Sequence, residues 1–154
     1  MNTSQLYDSI QKDKFVKKTF CGIVPIDKLP LKRIKNKCSF IVNTDPASQP
    51  GTHWFAIFSP KYGPIEIFDS FGRIPEKKYL SNFLKINKRN FIYNRKIIQS
   101  NDSNNCGQFS LIYLLFRNRG YSMKKILKFF TEDKNYNDFF IENLYKKLNK
   151  KLFM

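Results

Sequence analysis

The strongest constraint in this chain is a pair of β-favouring, largely apolar runs, Trp54-Phe55-Ala56-Ile57-Phe58 and Ile65-Glu66-Ile67-Phe68, separated by the turn-forming segment Ser59 to Pro64. Runs this short, rich in aromatic and β-branched residues and joined through Pro and Gly, read as an antiparallel hairpin. A hairpin symmetric about Lys61 would put Phe55, Ile57, Ile65 and Ile67 on one face, with Trp54, Ala56, Phe58 and Phe68 on the other. Neither face is polar, so the hairpin belongs inside a sheet covered on both sides. The chain must therefore supply helices for two layers around one sheet. Its 154 residues are the length of one domain, and residues 1–154 are read as a single one.

The remaining segments supply strands and helices in a mixed order. A helix is expected within the first 18 residues, capped by Ser4, and Phe20 to Leu31, with two prolines and a glycine, reads as an irregular connection. Cys38 to Asn43 is a strand, and so is Arg95 to Gln99. The Ser/Asn-rich loop 100–105 then leads into Cys106 to Asn118, apolar nearly all round and stopped by Gly120, as a buried central helix should be. Ser122 caps a following helix. Ile141, Leu144, Tyr145, Leu148 and Leu152 stripe a terminal one, opposite Lys146, Lys147, Lys150 and Lys151.

Composition narrows the function classes. The longest apolar stretch, Phe109 to Phe116, is far short of the roughly 20 residues that span a bilayer, so no membrane partner is expected. No apolar signal segment follows Met1, which points to a reducing compartment, and Cys21 and Cys38 read as inert core thiols. Three cysteines without CxxC spacing and a single histidine make no metal site, so none is expected. The formal charge of +16 lies mostly in the second half: 17 basic against 6 acidic residues in 76–154, compared with 11 against 6 in 1–75. Such an excess fits polyanion binding or a merely solvated lysine-rich surface, and composition does not choose between them.

The chemistry-bearing residues fall at element boundaries. With the hairpin centred on Lys61, His53 stands opposite Asp69, and directly opposed Cβ atoms lie about 4.5 to 5.5 Å apart, within reach of an imidazole–carboxylate hydrogen bond. Cys106 at the first turn of a helix would feel the positive end of the dipole, and an adjacent imidazolium would stabilise its thiolate further. Gln99, seven residues earlier, can fold back over the polar loop to offer its amide to an oxyanion, with the Cys106 N–H as a second donor. Each feature alone has a plainer reading: a structural histidine, a turn aspartate, a buried thiol. In the order His, Asp, Gln, Cys they describe acyl transfer by a thiolate.

Gly51-Thr52-His53-Trp54, Phe68-Asp69-Ser70-Phe71-Gly72, Gln99 and Asn105-Cys106-Gly107 resemble the adenovirus-type maturation proteases and their virophage and Polinton relatives. The resemblance begins near Phe20-Cys21-Gly22 and runs through the central helix. It implies an α+β fold: a papain-like cysteine protease of the branch shared with SUMO-specific proteases, a small mixed sheet between helices, the nucleophile at the N-terminus of the central helix. It implies His53 as base, Asp69 as its orienting group, Cys106 as nucleophile and Gln99 in the oxyanion hole. Trp54, Asn105 and Gly107 would line the substrate groove, Trp54 shielding the dyad. The implied activity is cleavage of viral precursor polypeptides beside small residues, often glycine, at the virus assembly site (nucleus or cytoplasmic factory) and in the virion, by a monomer needing no cofactor for chemistry.

Family members of the adenovirus type are stimulated by viral DNA and by an activating peptide. Here Lys85, Lys88, Arg89, Arg95 and Lys96 are the candidate DNA contacts. No cysteine lies between Phe55 and Asn105, so a peptide activator would bind non-covalently. Asp69 stands where adenoviral enzymes carry Glu, as is usual in the SUMO-protease branch. Two other readings remain from the sequence: a protease acting on ubiquitin-like conjugates, and a basic nucleic-acid-binding protein without catalysis.

Overall fold

A computed structural model describes residues 1–75 and 77–152, with the side chains of Lys77, Lys151 and Leu152 outside the described set. Along the chain run α1 (Thr3–Lys12), α2 (Val16–Thr19), β1 (Phe20–Pro25), β2 (Cys38–Asn43), β3 (Trp54–Ser59) and β4 (Ile65–Phe68). There follow α3 (Lys77–Asn87), β5 (Phe91–Tyr93), α4 (Cys106–Arg117), α5 (Met123–Leu127) and α6 (Lys134–Leu152). The strands form one mixed sheet in the order β1-β2-β3-β4-β5, parallel at both outer pairs and antiparallel between.

The double-sided burial expected of the hairpin is what the sheet shows. Ile41, Ala56, Phe58 and Phe68 pack against α1, α4 and α6, through Leu6, Ile10, Leu111, Leu114 and Ile141 among others. Phe40, Val42, Phe55, Ile57, Ile65 and Ile67 face the other way, onto Leu80 and Phe83 of α3 and onto Ile26. Burying these side chains, at roughly 1.5 to 3 kcal/mol each, holds the two layers to the sheet.

The hairpin register differs from expectation by two. Ile57 pairs with Ile67, and Ala56 with Phe68, so the centre is Tyr62 and not Lys61. Because side chains alternate with period two, a two-residue slip leaves every residue on its expected face, whereas a one-residue slip would have inverted the sheet.

Five features depart from the sequence expectation. Asn2, not Ser4, caps α1, its side chain accepting from Gln5 N–H while the Gln5 side chain accepts from Asn2 N–H. Phe20 to Pro25 is an edge strand, not an irregular connection: Pro25 ends it and Gly22 sits at a register shift, both tolerated on an edge. Cys21 and Cys38 are joined in a disulfide that ties β1 to β2, and Cys21 is exposed, so neither is a free core thiol. Helix α3 is absent from the sequence reading, and the last strand is Phe91–Tyr93 and not Arg95 to Gln99. Asn94 explains the early stop: its Oδ1 accepts from Asp69 N–H and its Nδ2 donates to Asp69 O, so a side chain replaces the next rung of backbone ladder.

Gly72 closes the turn after β4 with φ +65°, and a Cβ there would lie 2.7 Å from the Arg95 carbonyl oxygen. Gly72→Ala combines a left-handed backbone with a clash against main chain. We expect it to lower unfolding free energy by about 2 kcal/mol or more. A urea melt reads this directly, and an unmoved midpoint would contradict it.

Candidate active site

His53 precedes β3 and Asp69 follows β4, so the hairpin carries both to the same end of the sheet. Asp69 is reached diagonally; the residue in line with His53 is Phe71, whose ring centroid lies 4.9 Å from the imidazole. His53 Nε2 donates to Asp69 Oδ1 at 2.7 Å. The same oxygen accepts from Phe71 N–H at 2.9 Å, which fixes the carboxylate as a turn-closing acceptor as well as the imidazole's partner. With Nε2 engaged, the hydrogen bond that His53 shares with Cys106 falls to Nδ1.

Cys106 is the first residue of α4, the helix that packs across β3, and it is the one free cysteine among the described residues. Burial alone would push its thiol pKa up. The hydrogen bond from His53, the backbone N–H groups of Trp54 and Gly107 and the charge of His53 together bring it below the ordinary thiol value. The imidazole responds in the opposite sense. Burial would lower its pKa, but the Asp69 and Cys106 hydrogen bonds and the charges of both groups raise it from 6.5 to about 9. The coupled pair thus favours thiolate with imidazolium over the neutral form.

That pairing sets a pH window. The thiolate forms below the usual thiol range, and the imidazolium is lost as pH rises through about 9. Alkylation of Cys106 by iodoacetamide should therefore already be fast near neutrality, and any step needing a proton from His53 should fail above about pH 9. A stopped-flow alkylation profile that rises only in the normal thiol range would contradict the ion pair.

Gln99 is buried beside this end of the sheet. Its Oε1 accepts from Ser70 Oγ, and its Nε2 donates to Ser103 O at 2.9 Å and Ser103 Oγ at 3.1 Å, so its amide is engaged with the loop that leads into Cys106. Trp54 is partly buried, starts β3 and borders a groove with Val24, Asn43 and Asp45. Asn105 turns inward, its Nδ2 donating to Asp138 Oδ1 at 3.1 Å and Glu142 Oε1 at 2.9 Å, which is a structural anchorage and not the groove-lining position expected of it. Gly107 is buried against Met1 and Leu6, and it offers the sulfur its N–H.

Among the candidate DNA contacts, Lys85, Lys88 and Arg95 are exposed. Arg89 is committed to Ser59 Oγ, Pro60 O and Gly63 O, and Lys96 to Phe130 O and Glu132. Among the described residues no group of three or more His, Cys, Asp and Glu could hold a metal ion, and no helix is long and apolar enough to cross a membrane.

Four residues at the site carry no role in the sequence reading: Phe71 against the imidazole, Ser70 on Gln99, Asn94 around Asp69, and Asp138 on the loop. Each acts through a contact between distant segments. Only Ser70 and Phe71 carried a local signal, as neighbours of Asp69.

No protein-family model matches the chain, and no curated protein sequence matches it. In structure it is similar to the ASFV pS273R protease, with TM-score 0.54 and 19% identity, over 92% of this chain and 66% of that one. The chain thus covers just under two thirds of that protein. A likeness at this identity establishes a shared fold, which in this chain is a mixed five-stranded sheet flanked by helices.

Proposed function

We propose that the protein is a cysteine endopeptidase that cleaves viral precursor polypeptides of the capsid or core during virion maturation. The observation that carries this reading is the chain Asp69, His53, Cys106 at the N-terminus of the central helix, with the thiol lowered and the imidazole raised. In the proposed reaction the Cys106 thiolate attacks the scissile carbonyl, and His53 gives its Nδ1 proton to the leaving amine. His53 then takes a proton from the water that releases the acyl group. Asp69 holds the ring so that Nδ1 faces sulfur. The Cys106 N–H, at a helix N-terminus, and the Gln99 amide are the proposed oxyanion donors. The fold shared with the ASFV protease supports the assignment, and the sequence blocks around His53, Asp69 and Cys106 support the maturation role. The enzyme would act as a monomer at the assembly site and in the virion.

The test is incubation with the capsid and core precursors of a candidate virus, followed by mass spectrometry of new termini. Expected are cuts beside small residues, made by the wild type and absent with Cys106→Ala. Cleavage that survives this substitution sinks the proposal.

Viral DNA is the proposed polyanionic partner, through Lys85, Lys88 and Arg95, and an activating peptide would bind without a covalent link. Binding to duplex should weaken with salt at a log–log slope of about −0.9 per phosphate neutralised. A flat salt response in a fluorescence-anisotropy titration would remove DNA from the scheme.

A further inference from the structure

Beyond the triad, one carboxylate from the far end of the chain reaches into the catalytic loop. Asp138 lies on α6, well separated in sequence from the loop, and is buried at 8% exposure. Its Oδ2 accepts from Ser100 N–H at 2.9 Å, and its Oδ1 accepts from Ser103 Oγ–H and from Asn105 Nδ2 at 3.1 Å. Both oxygens are thus directed at the six residues between Gln99 and Cys106. In a chain of net charge +16, this buried anion is matched, among the described residues, to neutral donors of one loop and not to a lysine or arginine.

The consequence runs through a single proton. A serine hydroxyl has one hydrogen and two lone pairs. Asp138 takes the hydrogen of Ser103, so toward its other neighbours Ser103 Oγ is an acceptor only: it receives Asn105 N–H at 3.1 Å and Gln99 Nε2–H at 3.1 Å. At the other end of the carboxamide, Ser70 Oγ donates to Gln99 Oε1. Ser103 O accepts from the same nitrogen at 2.9 Å, so the two oxygens of Ser103, held in place through Asp138, set the Gln99 amide one way round, nitrogen toward the loop of the nucleophile and oxygen toward Ser70. Flipped, it would set its oxygen against the lone pairs of Ser103.

We propose that Asp138 is a positioning residue for the oxyanion hole: through Ser103 it fixes the orientation of the Gln99 carboxamide, and through Ser100 and Asn105 the path of the loop into Cys106. This rests on the peptidase reading above and deepens it. Asp138 touches no reacting atom; its effect is on where a donor points when the carbonyl oxygen becomes negative.

The experiment compares Asp138→Ala, Ser103→Ala and the double variant with wild type, using a fluorogenic peptide cut after glycine, a peptide glycinal as inhibitor, and iodoacetamide. The glycinal forms a hemithioacetal whose oxyanion needs the hole, whereas iodoacetamide consumes the thiolate by displacement and needs no hole. Each single variant should lower kcat by about 10- to 100-fold, below the loss from deleting a donor outright, and weaken glycinal binding by a similar factor. KM and the iodoacetamide rate should stay within about twofold, since neither reads the oxyanion. The double variant should lose no more than the larger single loss, because both act through one hydroxyl.

Ser103→Ala removes only a loop hydroxyl and keeps the test available if Asp138→Ala fails to fold. Unchanged kcat in Ser103→Ala, additive losses, or a parallel fall in alkylation rate would overturn the positioning role while leaving the peptidase intact. A wild type inert to the peptide and the glycinal would refute the peptidase reading, and the positioning role with it.

Discussion

Replacing Cys106 or His53 by alanine should remove peptide cleavage almost completely, by a factor of about 10⁵ or more in kcat, with little change in thermal stability. In the proposed peptidase the two groups act as one unit. Without sulfur there is no nucleophile to form the acyl intermediate. Without the imidazole, the strongest of the influences that lower the thiol pKa is gone, and so is the proton for the leaving amine. The double variant should therefore be scarcely worse than either single one, any residual rate coming from binding and the oxyanion donors. His53→Ala should also slow iodoacetamide alkylation at neutral pH and return its midpoint toward the ordinary thiol range. Asp69→Asn should be milder: it keeps an acceptor for the Nε2 proton but withdraws the charge that helps hold the imidazole pKa near 9. Steady-state kinetics on a cleaved precursor peptide decide the matter, and a Cys106→Ala variant with undiminished turnover would end it.

The sheet was legible because its central strands are largely apolar on both faces, Glu66 being the one charged residue in them. Cys38–Asn43, Trp54–Ser59 and Ile65–Phe68 are buried throughout apart from Trp54, and no partner needed to be known to read them as strands. The edges were not legible for the same reason reversed. β1 contains Pro25 and Gly22, which argue against a strand except where one side of the ladder is free. β5 has three residues, two of them exposed, and ends where a distant aspartate meets the side chain of Asn94. Helix α3 buries Leu80 and Phe83 on the sheet while its other side is polar, a stripe too narrow to stand out beside its lysines.

Of the candidate site, the meeting of His53, Asp69 and Cys106 was legible and its setting was not. His53 and Asp69 were found from hairpin geometry with the wrong centre, because the two-residue slip preserved the face and left Asp69 within diagonal reach. Cys106 was found because a polar loop full of turn formers precedes an apolar helix. Asn105 was assigned to the groove on its position beside the nucleophile, but position along the chain does not say which way a side chain turns, and Asp138 and Glu142 turn it inward. The disulfide between Cys21 and Cys38 escaped notice because adjacency of β1 and β2 is a fact of tertiary structure, and neither spacing nor composition contains it.

The largest expected loss of stability comes from the other end of the central helix. Glu66 sits on the helix-facing side of β4 at 5% exposure, where an unpaired carboxylate would be costly. Arg117 meets it with two parallel bonds, Nε to Oε1 at 2.7 Å and Nη2 to Oε2 at 2.8 Å, while Tyr113 donates its hydroxyl to Oε1 at 2.5 Å. The guanidinium also lies over the Phe58 ring, 4.4 Å from its centroid, so the sheet is joined to α4 by charge, hydrogen bonds and stacking together. Burial drives the tyrosine pKa well above its usual value, and the anion beside it does so further, so Tyr113 remains a neutral donor. Arg117→Ala would strand the carboxylate with one donor and should cost about 3 to 5 kcal/mol in a denaturant melt. Glu66→Gln in the same background removes the stranded charge while keeping an acceptor for Tyr113, so it should recover part of that loss. If Arg117→Ala proves neutral, or the second change gives no recovery, the cluster does not hold α4 to the sheet electrostatically.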